Sequence, residues 1–324
     1  MKDLGSRFIA SRRDVLRFGA LTAGAIIMPA LTAGRAQAAT KLVVGYTEGP
    51  EFGATYIAKE KGFFDKHGLD VSLQTITLTS NVPATVVSKS LDIGGTTPSV
   101  FLTAVDSGID LVGIAASAGH RGSDEAVGVV AGAKTGITKP ADLGGKRFGV
   151  PGLTGALHIM CVAWLKGQGV DTSKVDFVEI PFPQLPEVLA AGNVDAVVTI
   201  NAFVKMMVAK GTGVVIPGFA ESFPNGMAAD VYVADRNWAA ENAETVAAFR
   251  AALADAVAFS RQDEKAARQA MGAYFKVPPE VLAAIPFPDL QSTLTEAHMK
   301  FWADALVDQG YLSKAPDLGA LIAA

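Results

Sequence analysis

Uncharged polar residues gather where short apolar runs end. Thr47 follows "KLVVGY", Thr79-Ser80-Asn81 follows the alternating run "DVSLQTITL", Thr96-Thr97 follows "LDIGG", and Asn201 follows "VDAVVTI". Hydroxyls and amides at such places bind by hydrogen bonding, and in open α/β sheets ligands are held at the carboxyl ends of strands. Because the residues come from both halves of the chain, they suggest a cleft between two domains. Taken singly, such residues are more commonly turn formers or helix caps. Tyr46 and Phe52 lie beside them, as does Phe203, either as flat apolar walls or as core. The stretch "GVPGLTGALHIM" at 149–160 carries a sharper possibility. If a helix starts near Thr154, the amides of Gly155, Ala156 and Leu157 lack partners and carry the positive end of its dipole, which can bind an anion. The alternative is that Thr154 caps its own helix.

Other chemistry is missing from the pattern. His67, His120, His158 and His298 show no metal-ligand spacing, and there is no paired-cysteine motif, so no metal is expected. No nucleophile elbow, phosphate loop or dinucleotide fingerprint occurs, and no cofactor is expected. Cys161, the only cysteine, sits in "HIMCVAWL" and reads as a small buried hydrophobe. Trp164, Trp238 and Trp302 fall in apolar or helical runs and are assigned to packing.

The elements that must position these residues alternate in type. "KLVVGY" reads as a buried strand, "ATYIAKEKGFF" as a helix and "DVSLQTITL" as a strand; "VPATVVSKS", "LDIGG", "TTPSVFLTAVDSG" and "IDLVGIAAS" repeat the grammar. Such alternation indicates parallel-rich α/β sheets. A second unit opens at "GITKPADLGGKRFGV" and runs on through "VVIPGF", and "GMAADVYVADRNWA" reads as a returning strand. The pieces "VVSKSLDIGGTTPS" and "EVLAAGNVDAVVTINAF" match in plan, one per half, which points to two similar domains. In "NAETVAAFRAALADAVAFSR", Val246, Phe249, Leu253 and Val257 share one helical face, and the C-terminal helices are expected to cover the first domain.

At 324 residues the chain suits about two domains. Its first 38 residues read as a cleaved export signal of the twin-arginine type: Arg12-Arg13, a Gly- and Ala-rich apolar stretch, Arg35, then Ala36-Gln37-Ala38. Removing those residues takes six basic and two acidic side chains from a chain of net charge −4 and leaves −8. Nucleic acid is therefore not an expected partner. A soluble, monomeric periplasmic protein is expected.

The ordered phrases "GPEFGATYIAKEKGFFDKHGLDV", "SLDIGGTTPSVF", "GITKPADLGGKRFGVPGLTGALHIM" and "VLAAGNVDAVVTINAF" resemble the substrate-binding proteins of bacterial ABC importers in the nitrate, sulfonate and taurine group. The kinship extends to binding proteins for thiamine pyrimidine precursors. The resemblance implies a type II periplasmic-binding-protein fold, two α/β lobes joined by two crossover strands, with a ligand in the cleft and a membrane permease as partner. It implies one lobe of 40–128 plus 229–324 and another of 129–228. It carries binding positions to the loop after the first strand, Thr47 to Phe52 with Glu48 among them, and to Thr79 and Ser80, Thr96 and Thr97, Leu153, Thr154 and Gly155, and Asn201 to Phe203. Many relatives have Glu-Pro where this chain has Asn201-Ala202. An enzyme on the same fold, a pyrimidine-precursor synthase or a chorismate-dehydratase-like protein, is the alternative. Nitrate or bicarbonate would call for Lys, Arg or His, whereas the strand-end loops offer hydroxyls, one amide and rings. His120-Arg121, after "LVGIAA", is a nearby cationic exception. The expected ligand is a small organic anion, a sulfonate or carboxylate with an apolar or aromatic body.

Overall fold

The computed structural model describes residues 39–122, 126–275 and 279–324, so the twin-arginine stretch and its cleavage site lie outside the described residues. Ala38–Ala324 form one compact unit. The chain first lays down β1 (Thr40–Tyr46), α1 (Gly53–Glu60), α2 (Phe63–Lys66), β2 (Leu69–Thr75), α3 (Val82–Val87), β3 (Ile93–Thr96), α4 (Pro98–Asp106) and β4 (Leu111–Gly119). It crosses to β5 (Val127–Gly132) and continues through β6 (Arg147–Val150), α5 (Ala156–Gly167), β7 (Asp176–Glu179), α6 (Leu185–Ala190), β8 (Ala196–Ile200), α7 (Asn201–Ala209) and β9 (Gly213–Ile216). A second crossing reaches β10 (Ala228–Asp235), then α8 (Arg236–Glu241), α9 (Ala243–Gln262), α10 (Glu264–Met271), α11 (Pro279–Ala284), β11 (Asp289–Leu290) and α12 (Glu296–Asp308).

The strands form two sheets, in spatial order β11-β4-β10-β3-β1-β2 and β7-β6-β8-β5-β9. The expected two-lobed α/β architecture is therefore present. Strands β1, β2 and β3 run parallel, as do β6, β7 and β8. The two strands that arrive by crossing are reversed: β10 is antiparallel to both β3 and β4, and β5 to both β8 and β9. Val127 consequently stands opposite Ile200 at the end of β8, and Ala228 opposite Gly119 at the end of β4. Both crossings thus lie at the carboxyl ends of the parallel strands.

The crossings are tied to each other. His120 N donates to Met227 O and Gly226 N to His120 O, each at 2.8 Å, while Gly122 N donates to Asn225 Oδ1 at 2.9 Å. The buried His120 ring donates from Nε2 to Ala220 O at 2.8 Å and meets Phe223 edge-on. This cationic candidate is a strut between crossings, and Arg121 donates to Phe287 O at 3.0 Å.

Three apolar clusters fill the layers. One packs β1, β2 and β10 against α1, α9 and α10; Val246, Phe249, Leu253 and Val257 are all buried there, as their spacing predicts. A smaller one lies under α6 and α7. The third runs continuously from α4 and α12 to α5, joining Val231 and Trp302 with Phe148, Trp164 and Phe219. The C-terminal helices cover more than the first domain, because α12 packs on α5 as well as α4. Lys166 pairs with Asp308 at 2.8 Å, and Gln309 Nε2 donates to Ile159 O at 2.9 Å. The reason is that α5 is apolar nearly all round, so it has a second face to bury.

Close packing also fixes the approach to the strand ends. A Cβ on Gly95 would stand 2.4 Å from the Phe52 ring, so that ring lies directly on the backbone of β3. Gly95→Ala is expected to force the ring aside and cost about 1–3 kcal/mol, measurable as a lower urea midpoint at unchanged slope.

Candidate functional site

The turn between β6 and α5 has unusual backbone geometry. Thr154 sits in the left-handed region at φ 62°, which costs a β-branched residue roughly 1–2 kcal/mol. Two side-chain acceptors hold it: Thr154 N donates to His158 Nδ1 at 3.0 Å, and Leu153 N donates to Glu179 Oε2 at 3.1 Å. The capping alternative for Thr154 is overturned. An N-cap needs extended backbone, that place falls on Gly155, and no side chain caps the helix. Gly155 N is already bonded to Gly152 O at 3.2 Å. The amides left without an intrahelical acceptor are therefore those of Ala156, Leu157 and His158, one residue later than the sequence suggests. Burial pushes the His158 imidazole down to about 4, so near neutral pH it is uncharged and its Nδ1 is free to accept.

The remaining sequence candidates fall into two groups. At the first sheet, Tyr46 is buried and accepts from Thr75 Oγ1 at 3.1 Å, Thr47 is half-buried and Glu48 exposed. Thr96 is buried in β3 and donates to the carbonyl of half-buried Thr79 at 3.2 Å, with Ser80 exposed beside it. Thr97 is the cap of α4, accepting from Val100 N at 3.4 Å. Phe52, read as wall or core, is core. At the second sheet, Leu153, Thr154 and Gly155 form the β6–α5 turn, exposed only at Leu153. On the neighbouring strand end, Asn201 opens α7, buried, with its amide donating to Ala126 O at 2.8 Å, and Phe203 is half-buried against the second-sheet core. The start of α7 reaches the first group's side: Ala202 packs on the first-sheet core and Lys205 Nζ donates to Ala284 O at 3.2 Å.

Two carboxyl groups come together at the first sheet, Glu51 from the loop expected to bind and Asp230, which the sequence reading did not single out. Glu51 sits in the one-turn segment after β1, its Oε2 folded back so that a Cβ on Gly49 would meet it at 2.7 Å. Asp230 lies on β10 opposite Ala118. Burial raises both, and the charge of Glu51 raises Asp230 further. Aromatic hydroxyls surround them: Tyr56 donates to Gly49 O at 3.1 Å and stacks on Tyr274, and Tyr232 bonds Thr55. For Asp230 the available signal is a charge inside the strand "AADVYVAD", whose other aspartate, Asp235, stands at its end.

Among the described residues, no three His, Cys, Asp or Glu side chains are grouped to hold a metal, and burial pushes the Cys161 thiol well up. No described helix is long and apolar enough to cross a membrane. A cavity of about 460 Å³ lies between α5, α12 and the second crossing, lined by Ala163, Asn225, Met227, Phe301 and Ala305 among others.

The family pattern described as NMT1/THI5 like matches residues 49–267, from the Glu51 loop through α9. The chain belongs to that family. No curated protein matches it by sequence. Solved structures match its fold over nearly the whole length. The alkanesulfonate-binding protein SsuA from Xanthomonas axonopodis pv. citri, bound to MOPS, is 18% identical with a TM-score of 0.71, covering 89% of this chain and 99% of its own. The periplasmic aliphatic sulphonate binding protein SsuA from Escherichia coli is 18% identical with a TM-score of 0.72, covering 88% and 92%. The periplasmic nitrate-binding protein NrtA from Synechocystis PCC 6803 is 16% identical with a TM-score of 0.66, covering 87% and 84%. This family member has the periplasmic-binding-protein fold.

The two raised carboxyls give the NMT1/THI5-like chain a distinctive pH dependence. An acid whose folded pKa lies above its unfolded value contributes stability below the unfolded pKa and loses it as pH rises through the folded one. Asp230→Asn is therefore expected to raise the melting temperature near neutral pH, with the gain shrinking as pH falls towards 3.8. His158 acts in the opposite sense, withdrawing stability as pH falls from 6.5 to about 4. Melting curves of wild type and Asp230→Asn across pH separate the two.

Proposed function

We propose that this chain is the exported solute-binding component of an ABC importer, and not an enzyme. In this reading the lobes are 40–128 plus 229–324 and 129–228, and the protein works as a periplasmic monomer released from its twin-arginine signal. It captures a small organic anion and delivers it to a membrane permease. The paired crossings near 127–131 and 226–231 serve as the hinge, since closure needs only a few residues to absorb the backbone change.

The observation that carries the reading is the β6–α5 turn, where a strained Thr154 precedes three amides without intrahelical acceptors at a strand end. That is where a sulfonate or carboxylate would be held. The polar strand ends of the first sheet supply the other wall, and the family and the sulfonate- and nitrate-binding neighbours support the choice. Glu51 and Asp230 refine it: a pair that shares one proton keeps one negative charge, which would favour an amine or amide N–H there over a second anionic group. The ligand proposed is therefore a monoanion with an apolar or aromatic body that also carries N–H or protonated nitrogen.

Thermal shift with MOPS, taurine, benzenesulfonate, sulfoacetate and nitrate tests this. Saturation at 100 times the dissociation constant adds about 2.7 kcal/mol of stability, so the nitrogen-bearing sulfonates should shift the melting point by several degrees, and sulfoacetate and nitrate should not. A shift with inorganic anions alone would overturn the ligand class, and chemical turnover of a bound compound would overturn the non-enzymatic role. Thr154→Val, which keeps the branched shape and removes the hydroxyl, is expected to weaken the tightest of these ligands by roughly ten- to a hundredfold in calorimetry.

A further inference from the structure

His158 is a buried imidazole with a bond to spend. Its ring is 5% exposed, meets Phe177 of β7 edge-on at 4.7 Å and faces Tyr311, beyond α12, at 6.4 Å. Packing alone would explain a ring in that place. It would not explain why Nδ1 stands 3.0 Å from the amide of Thr154, four residues back and outside the helix. That amide belongs to a residue whose backbone conformation is otherwise unfavourable, so its partner decides whether the conformation persists.

We propose that His158 is a positioning residue, whose unprotonated Nδ1 fixes Thr154 in its left-handed conformation and so aims the Thr154 hydroxyl and the α5 amides at the bound anion. The proposal rests on the reading of this turn given under Proposed function. Only an imidazole without a proton on Nδ1 can accept, and the apolar surroundings that hold the ring near 4 keep it in that form through the neutral range. The ionisable groups on the elements packed against it are Glu179 on β7, engaged by Leu153 N, Asp176 at the other end of β7, paired with Arg147 of β6 at 3.4 Å, and Tyr311 beyond α12. Further along α5, Lys166 is paired with Asp308. Tyr311 and Asp308 follow and end the helix that spans both lobes, so His158 lies between the inter-lobe contact and the turn.

Two variants separate positioning from packing. In Asn the side-chain oxygen is attached through the same three carbons as Nδ1 in His, so His158→Asn keeps the acceptor and discards the ring. His158→Phe keeps the ring and discards the acceptor. The readouts are the exchange rate of the Thr154 amide by NMR in ligand-free protein and the affinity for MOPS by calorimetry. His158→Phe should speed Thr154 exchange and weaken MOPS binding, each by roughly tenfold, the equivalent of about 1.4 kcal/mol, with His158→Asn close to wild type in both. MOPS affinity of wild type should also fall at acid pH as the ring protonates, and that fall should be absent in His158→Asn. Normal exchange and affinity in His158→Phe, with loss in His158→Asn, would overturn the proposal in favour of packing. If wild type takes up no MOPS, the ligand class is wrong, and Thr154 exchange in the two variants still decides whether His158 holds the turn.

Discussion

The reversed insertion of β5 and β10 governs the rest of the architecture. Each enters its sheet antiparallel to both neighbours, so its amino end lies at the carboxyl edge of the parallel strands. The hydrogen bonds of His120 with Met227 and Gly226 lock the crossings side by side, so the carboxyl edges of both sheets meet there. Every parallel strand then hands its chain to a helix at that same edge. The starts of α4, α5 and α7, with their positive dipole ends, are therefore collected in one region as a consequence of topology.

Electrostatics at this edge is divided between the two sheets. The second sheet contributes helix starts and no buried carboxylate among the described site residues, which favours negative charge. The first contributes Glu51 and Asp230, whose burial disfavours it. Desolvation of these half-buried carboxyls lowers the stability of the folded chain near neutral pH. A protein of net negative charge can still hold an anion locally, because salt screens the distant charges within about 8 Å while the amides act in contact.

Strand and helix order was readable because periodicity is a local property. Alternation placed β2, apolar runs placed β4 and β8, and the 3.6-residue spacing of Val246, Phe249, Leu253 and Val257 placed the buried face of α9. The polar strand ends were readable for the same reason, since each follows its strand directly. What escaped depends on contacts between distant segments. Glu51 and Asp230 are 179 positions apart in number and become partners only when β10 inserts beside β3. Thr154 was misread as a possible cap because hydroxyl residues usually fill that place, while its left-handed backbone depends on His158 one turn later and on Glu179 from another strand. The second face of α12 was missed because nothing in its own pattern reveals that α5 is apolar all round.

The β6–α5 turn is held by side chains from outside it. Its backbone strain, on the order of 1–2 kcal/mol, is matched by two side-chain acceptors whose hydrogen bonds contribute about 1 kcal/mol each. The protein's own contacts therefore offset the strain of the turn. Glu179 and His158 are themselves fixed by β7 and by α5, so the conformation of a surface turn is set by a neighbouring strand and by the helix that follows it. The start of α5 and the end of β7 thus fix one short turn between them.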